Sequence, residues 1–171
     1  MGEGSPYRIR DLLDRMRREG RGALAEALGA YVLVGSTAER DTGSAWSFAT
    51  HAVRPWEDGG DERAFDLDSS IVHALRKRTS TFAGVILVGR ASSNDVCIDH
   101  GTISKLHARV RLGEQHLFVE DAGSRNGTFV EGERVRREAA VYAGDTVRFG
   151  TCVFGVHDTP RFLDTLGRLI G

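Results

Sequence analysis

Hydrophobic residues recur at helical spacing near both ends of the chain and at strand spacing between them. Near the start, apolar residues three or four positions apart alternate with Arg and Asp, which predicts an amphipathic helix within residues 1–29. Gly20 and Gly22 interrupt this helix, and a second helical piece follows over residues 23–28. The segment from Pro160 to Ile170 repeats the helical spacing. We expect these helices to pack their apolar faces on the domain between them.

Residues 30–158 show short apolar runs separated by turn residues, a pattern typical of all-β domains. The run His107–Leu112 illustrates it, because apolar residues alternate there with two arginines. The polar stretch from Arg54 to Asp68 is predicted to be a loop. About 11 strands are predicted: Tyr31–Val34, Trp46–Val53, Ile71–Arg76, Val85–Gly89, Val96–Ile98, His107–Leu112, one around Leu117 and Val119, Thr128–Val130, one at Val141–Tyr142, one around Val147 and Phe149, and Cys152–Val156.

These elements predict an all-β fold, a β-sandwich of two mostly antiparallel sheets with short N-terminal and C-terminal helices. A single sheet would leave one apolar face in water, whereas two sheets packed face to face bury both faces. The expected organisation is a helical extension over residues 1–29, a β-sandwich domain over 30–158 and a helix over 159–171.

Composition and charge narrow the classes of partner. The chain has 171 residues and a net charge of −1, and its basic residues are spread rather than gathered in a stripe, which argues against nucleic acid. Its apolar runs are too short to cross a bilayer, and no secretion signal is visible, so we expect a cytoplasmic protein without membrane contact. Cys97 and Cys152 are expected to be buried, reduced thiols and have no metal-ligand spacing.

Polar residues cluster in three loops at predicted strand ends: Arg90–Asp95, Asp99–Lys105 and Asp121–Asn126. Five motifs run through this region in order: Val88-Gly89-Arg90, Ser93-Asn94-Asp95-Val96, Ile103-Ser104-Lys105-Leu106-His107-Ala108, Asp121-Ala122-Gly123-Ser124-Arg125-Asn126-Gly127-Thr128-Phe129-Val130, and Gly144-Asp145 ahead of Val147-Arg148-Phe149-Gly150. This series resembles the forkhead-associated (FHA) family over Val85 to about Val156. Each motif alone is weak evidence, and their order and spacing make the resemblance specific.

The resemblance implies a module that recognises phosphothreonine on partner proteins in Ser/Thr kinase signalling. On the family pattern, Arg90 contacts the phosphate and Ser104 donates a hydroxyl hydrogen bond to it. Lys105 and Arg125 lie close by, and Asn126 holds the main chain of the bound peptide. The family prefers threonine over serine because the methyl group fills a small pocket between the loops. The implied partner is a threonine-phosphorylated protein or peptide, with a Ser/Thr kinase or its substrate as candidates.

The chemistry of phosphate agrees with this set of residues. A phosphate monoester carries close to two negative charges at neutral pH, and its oxygens accept hydrogen bonds from guanidinium, hydroxyl and amide groups.

Gly89, Gly127 and His107 are assigned to structural support of the site, with the imidazole bracing the loop that carries Ser104. Asp95 and Asp121 are expected to fix loops rather than to contact the ligand.

One departure from the family pattern lies in a turn. Glu131 stands where the family often has asparagine, which concerns the turn more than the phosphate site.

An enzyme is not expected. Ser104 and His107 are close in sequence, but no nucleophile-elbow motif surrounds the serine. The Gly84-x-x-x-x-Gly89-Arg90 segment lacks the lysine and the hydroxyl of a P-loop, so neither a nucleotide nor any other cofactor is predicted.

Two alternatives remain open at this stage. The first is a phosphate-independent scaffold that uses the FHA fold for assembly through another face. The second concerns Thr79 and Thr81, which follow the basic run Arg76-Lys77-Arg78 and could accept phosphate from a kinase, so that one copy would bind another. A solvated turn is the simpler interpretation of these threonines, and nothing else in the sequence supports self-association.

Overall fold

The computed structural model describes residues 6–36, 67–78 and 82–171. The predicted strand at Trp46–Val53, most of the loop from Arg54 to Asp68, and both Thr79 and Thr81 lie outside these ranges. In chain order the elements are β1 (Tyr7–Arg8), α1 (Ile9–Leu28), β2 (Tyr31–Ser36), β3 (Ser70–Ala74), β4 (Ile86–Gly89), β5 (Val96–Cys97), β6 (Ala108–Leu112), β7 (Leu117–Asp121), β8 (Thr128–Val130), β9 (Glu133–Arg134), β10 (Glu138–Val141), β11 (Thr146–Phe149), β12 (Cys152–Asp158) and α2 (Thr159–Ile170).

The strands form two sheets that face each other. One sheet has the order β1-β3-β2-β12-β11-β8-β9 and the other β10-β7-β6-β4-β5. All strand pairs within the described residues are antiparallel except β4 with β5. The apolar residues between the sheets, among them Val88, Val110, Phe149 and Val156, form one continuous core. The predicted fold, an all-β sandwich of two mostly antiparallel sheets with helices near each end, is confirmed.

The two helices form a third layer on the outer face of the seven-stranded sheet. Val32 and Val34 of β2 point toward the helices and join a second core with Leu12, Leu28 and Phe162. The intervening residues of β2 point into the sandwich core. Both faces of β2 are therefore buried, which explains its uninterrupted apolar sequence.

Helix α1 bends where the sequence predicts an interruption. Gly20 has φ 85°, a left-handed conformation that separates two helical pieces. Arg21, just after the bend, donates to the carbonyl oxygen of Pro160 at 3.0 Å and forms an ion pair with Asp164, which connects α1 to α2.

No helix within the described ranges is long and apolar enough to cross a membrane.

Two short strands were not predicted, because neither has an alternating pattern. β1 pairs at the sheet edge with Ile71 and Val72 of β3. β9 follows β8 through a two-residue turn at Glu131 and Gly132, where both residues have positive φ, 49° and 82°. Glu131 is held in this turn because its Oε1 atom accepts from the amide and the hydroxyl of Thr146 at 2.5 and 3.0 Å. Glu131 therefore does affect a turn, as the sequence predicts.

A buried histidine makes the stability of this fold dependent on pH. His73 of β3 is 3% exposed and packs edge-on against Phe154, with ring centroids 5.6 Å apart. Burial lowers the pKa of His73 from 6.5 to about 4. The unfolded chain therefore binds a proton that the folded chain excludes as the pH falls from about 6.5 to about 4.

We expect the free energy of unfolding to decrease by about 2 to 3 kcal/mol over that interval because of His73 alone. Urea unfolding of the wild type and of His73→Leu at a series of pH values measures this contribution. The wild type is expected to lose more stability than the variant on acidification. Parallel losses in the two proteins would show that His73 does not titrate in this way.

Candidate functional site

The close contact between two loops places Arg90 beside Ser104. β4 ends at Gly89, where a Cβ atom would stand 2.3 Å from the carbonyl oxygen of Lys105, so only glycine fits. The amide of Arg90 donates to the carbonyl oxygen of Ser104 at 2.9 Å, and that of Ala91 donates to the carbonyl oxygen of Lys105 at 3.1 Å. The two loops therefore run side by side.

Asn94 and Asp95 hold this pair of loops from the interior. The Nδ2 atom of Asn94, which is 3% exposed, donates to the carbonyl oxygens of Ala91 and Lys105 at 2.9 and 2.5 Å. The buried carboxylate of Asp95 accepts from the amides of Leu87 and Arg78 at 2.8 and 2.7 Å and from the ammonium group of Lys77 at 2.8 Å. Asp95 thus stabilises the loop rather than facing a ligand. The bridging position of Asn94 was not predicted, because it depends on a loop eleven residues further along the chain.

His107 connects the Ser104 loop to the turn that carries Asn126. The imidazole is fully buried. Its Nδ1 atom accepts from the amide of Ser104 at 3.1 Å, and its Nε2 atom donates to the carbonyl oxygen of Gly127 at 3.0 Å. These two contacts require the proton to be on Nε2. The ring also packs edge-on against Phe149, with the centroids 5.7 Å apart.

The hydroxyl of Ser104 is oriented by the neighbouring loop. Its Oγ atom accepts a hydrogen bond from the amide of Arg125 at 3.0 Å. Because that bond uses a lone pair of the oxygen, the hydroxyl hydrogen remains able to donate to a ligand. The side chains of Lys105 and Arg125 are exposed on the same side of the domain.

Asn126 is connected to a threonine that was not among the predicted site residues. Its Nδ2 atom donates to the carbonyl oxygen of Thr102 at 2.7 Å. The Thr102 hydroxyl lies 2.9 Å from that of Thr151 and accepts from the Thr151 amide at 3.1 Å. At Gly150 a Cβ atom would stand 2.5 Å from the carbonyl oxygen of Thr102, so the close approach of the two turns requires glycine there.

Asp121 organises the loop that leads to Asn126. Its carboxylate accepts from the amides of Gly123 and Ser124 at 3.0 Å each and from the hydroxyls of Ser124 and Thr128 at 2.5 and 2.7 Å. Burial alone would raise the pKa of Asp121, but these hydrogen bonds outweigh it and hold the pKa below its usual value. The carboxylate is therefore ionised at neutral pH and holds the loop over residues 121–128 in place through these hydrogen bonds.

All five predicted ligand-binding residues line one open cleft of about 220 Å³. Arg90, Lys105 and Arg125 contribute three positive charges, and no Asp or Glu among the described residues lines the cleft. Ser104 and Asn126 add a hydroxyl and an amide, and the remaining lining residues are Gly101, Thr102 and Ile103. Such a combination suits an anion with several acceptor oxygens. Elsewhere in the described ranges, no group of three or more His, Cys, Asp or Glu side chains is placed to hold a metal ion.

The segment that contains this cleft matches a known protein family. Residues 86–150 match the family model of the FHA domain. The chain contains an FHA domain. The match includes every strand from β4 to β11 and all five cleft residues named above, whereas β1, α1, β2, β3, β12 and α2 lie outside it.

The FHA segment is similar to proteins from Mycobacterium and Corynebacterium. It is 43% identical over 63 residues to the glycogen accumulation regulator GarA of Mycobacterium tuberculosis, covering 36% of this chain and 38% of GarA. It is 37% identical over 62 residues to the oxoglutarate dehydrogenase inhibitor of Corynebacterium glutamicum, covering 36% of this chain and 43% of the inhibitor. The chain thus spans less than half the length of these relatives.

Among solved structures, the FHA domain of the CT664 protein from Chlamydia trachomatis is similar. It is 20% identical, with a TM-score of 0.46, and the match covers 75% of this chain and 98% of that domain.

Proposed function

We propose that the FHA domain of this chain binds threonine-phosphorylated segments of partner proteins in Ser/Thr kinase signalling. The observation that carries the proposal is the cleft itself, where Arg90, Lys105 and Arg125 surround a serine hydroxyl free to donate. A phosphate monoester has nearly two negative charges and strong acceptor oxygens, which these groups match.

Different residues of the cleft bind different parts of the phosphopeptide. Arg90 and Ser104 hold the phosphate, because a guanidinium and a hydroxyl donor stand on adjacent loops there. Lys105 and Arg125 add positive charge at the rim. Asn126 holds the peptide main chain, since its Nδ2 group is already directed by Thr102 while its Oδ1 atom can accept from a peptide amide.

The proposal is one of binding rather than catalysis. Two relatives of the FHA segment are named as a regulator and an inhibitor, which supports a regulatory role for this chain. The partner would be a phosphorylated protein, with a Ser/Thr kinase or its substrate as candidates. Cys97 and Cys152 are partly buried rather than buried as the sequence predicts, because each lies at one end of its strand. Both are free, and free thiols persist in a reducing compartment, which fits a cytoplasmic location.

A titration with matched peptides tests the proposal. An oriented phosphothreonine peptide library first selects a sequence. That peptide is then prepared with phosphothreonine, phosphoserine and unmodified threonine. We expect a dissociation constant of roughly micromolar order, about −8 kcal/mol, for the phosphothreonine form and much weaker binding of the other two. Equal binding of the phosphorylated and unmodified peptides would instead favour a phosphate-independent scaffold.

The affinity is also expected to depend on pH. The second ionisation of a phosphate ester has a pKa near about 6, so the dianion gives way to the monoanion in mild acid. Binding of the phosphothreonine peptide should therefore weaken severalfold between pH 7.5 and pH 5.5, as measured by calorimetry. Circular dichroism at the same pH values controls for unfolding. A constant affinity over this range would contradict a dianion ligand.

A further inference from the structure

An arginine outside the predicted set lies against the turn that carries Asn126. In the β8–β9 hairpin, Arg134 is paired with Phe129. A Cβ atom placed on Gly127 would stand 3.2 Å from the Nε atom of Arg134 and 3.0 Å from the ring of Phe129. The guanidinium of Arg134 therefore lies beside the residue that directly follows Asn126.

The Arg134 side chain is exposed and has no acidic partner among the residues that the structure describes. No Asp or Glu of the described residues forms an ion pair with Arg134, and its side chain makes none of the hydrogen bonds found in that part of the chain. Some other exposed arginines are paired with a carboxylate, as Arg10 is with Asp68 at 2.7 Å and Arg161 with Asp158 at 3.6 Å. Arg134 thus presents an unneutralised positive charge at the edge of the site.

The hairpin fixes the position of Arg134 relative to Phe129 and Gly127. The Phe129 ring, which lies next to the Arg134 side chain, is covered by the guanidinium of Arg148, with Cζ 3.6 Å from the ring centroid. The tight turn at Glu131 and Gly132 fixes the pairing of β8 with β9. The hairpin therefore fixes the backbone position from which the Arg134 side chain extends.

We propose that Arg134 is a specificity-determining residue that binds an anionic side chain of the same peptide, close to the phosphothreonine. The inference rests on the proposed function, because it requires a peptide whose phosphate lies at Arg90 and Ser104 and whose main chain lies at Asn126. Such a peptide passes the Gly127 turn and comes within reach of Arg134. A guanidinium binds carboxylate and phosphate through paired hydrogen bonds, so Asp, Glu or a second phosphorylated residue would supply the anion.

The test uses one neutral phosphothreonine peptide and a series in which a single Asp is moved through the three positions on either side. A second series carries phosphoserine in place of Asp, which separates the two sources of negative charge. Binding is measured by fluorescence anisotropy for the wild type, Arg134→Gln and Arg134→Lys. Arg161→Gln is the matched control, because it removes the same charge far from the site. Arg161 lies at the start of α2, which follows the end of β12 remote from Gly150, and a strand of that length spans roughly 20 Å.

For the wild type, we expect Asp at a preferred position to tighten binding about three- to tenfold. Arg134→Gln should remove this preference while leaving the affinity for the neutral peptide within about twofold. Arg134→Lys should keep part of the preference, and Arg161→Gln should keep all of it.

Three other results would overturn the inference. If phosphorylation of the threonine is required but neither Asp nor phosphoserine has an effect at any position, Arg134 does not bind a side chain of the peptide. The same conclusion follows if Arg134→Gln retains the preference, and in both cases the phosphothreonine site stands without Arg134. If the unmodified peptide binds as well as the phosphorylated one, the proposed function fails and the role of Arg134 fails with it.

Discussion

Replacing Arg90 or Ser104 with alanine is expected to weaken binding of a phosphothreonine peptide by about tenfold to about 150-fold. Each side chain would contribute a hydrogen bond to a charged phosphate, and such bonds contribute about 1.5–3 kcal/mol. Removing either one also leaves the remaining donors unable to surround the phosphate, so the losses should be less than additive in the double variant.

These two substitutions should leave the fold largely intact. Arg90 is exposed, and its Nε atom makes one contact with the protein that the structure describes, to the carbonyl oxygen of Ile103 at 3.3 Å. Ser104→Ala removes the acceptor of the Arg125 amide, which is at the surface and can bind water instead. Thermal unfolding midpoints close to that of the wild type would establish that the loss is local.

Calorimetric titration with the phosphorylated peptide measures the loss, and Arg109→Ala provides the matched control. Arg109 lies on the outer face of the five-stranded sheet, where it pairs with Glu120 at 3.5 Å. Its removal should change the affinity less than twofold if the effect of Arg90 depends on position rather than on net charge. An Arg90→Ala protein that binds as tightly as the Arg109→Ala protein would exclude Arg90 from the phosphate site.

Local sequence patterns predict the fold, and they select residues that the structure places in one cleft. Apolar residues at every second position identify β6, and the order of short motifs places Arg90, Ser104 and Asn126 on three separate loops. The structure then brings these loops together in one cleft. Such features can be predicted because each depends on a few consecutive residues.

Other features depend on contacts between distant segments and have no local signal. Thr102 directs Asn126 across 24 residues, and Asn94 bridges to Lys105 through a backbone oxygen. Arg134 belongs to a strand of two polar residues, which shows no alternation. Its place beside Gly127 follows from the hairpin turn and not from its own sequence.

The helical layer was predicted only in part. The amphipathic pattern indicates that α1 and α2 bury one face, and both do. The amphipathic pattern does not show on which surface of the sandwich the helices pack. The continuous apolar run of β2 gives an indirect indication of that surface, because a strand buried on both faces needs a second layer outside the sheet.

His107→Ala is expected to lower both the stability of the domain and its affinity for the peptide. The substitution leaves the amide of Ser104 and the carbonyl oxygen of Gly127 without their partner and opens a cavity next to Phe149. We expect the free energy of unfolding to decrease by about 3 kcal/mol or more. Because the imidazole connects the Ser104 loop to the Asn126 turn, binding should weaken even under conditions where the variant remains folded.

Urea unfolding and calorimetric titration at a low temperature separate these two effects. His116→Ala is the matched control, because His116 is only partly buried and lies in the β6–β7 turn, at the opposite end of β6 from His107. It should have a much smaller effect on both quantities. His107→Gln, whose amide can still donate toward the carbonyl oxygen of Gly127, should fall between the wild type and the alanine variant.

The pair of measurements distinguishes two roles for the imidazole. Unchanged stability in His107→Ala would refute the bracing role altogether. Reduced stability with full affinity in the folded fraction would mean that His107 supports the core but does not position the ligand-binding loops. Loss of both is the result that the two hydrogen bonds predict, since one ring holds two of the loops that must meet at the phosphate.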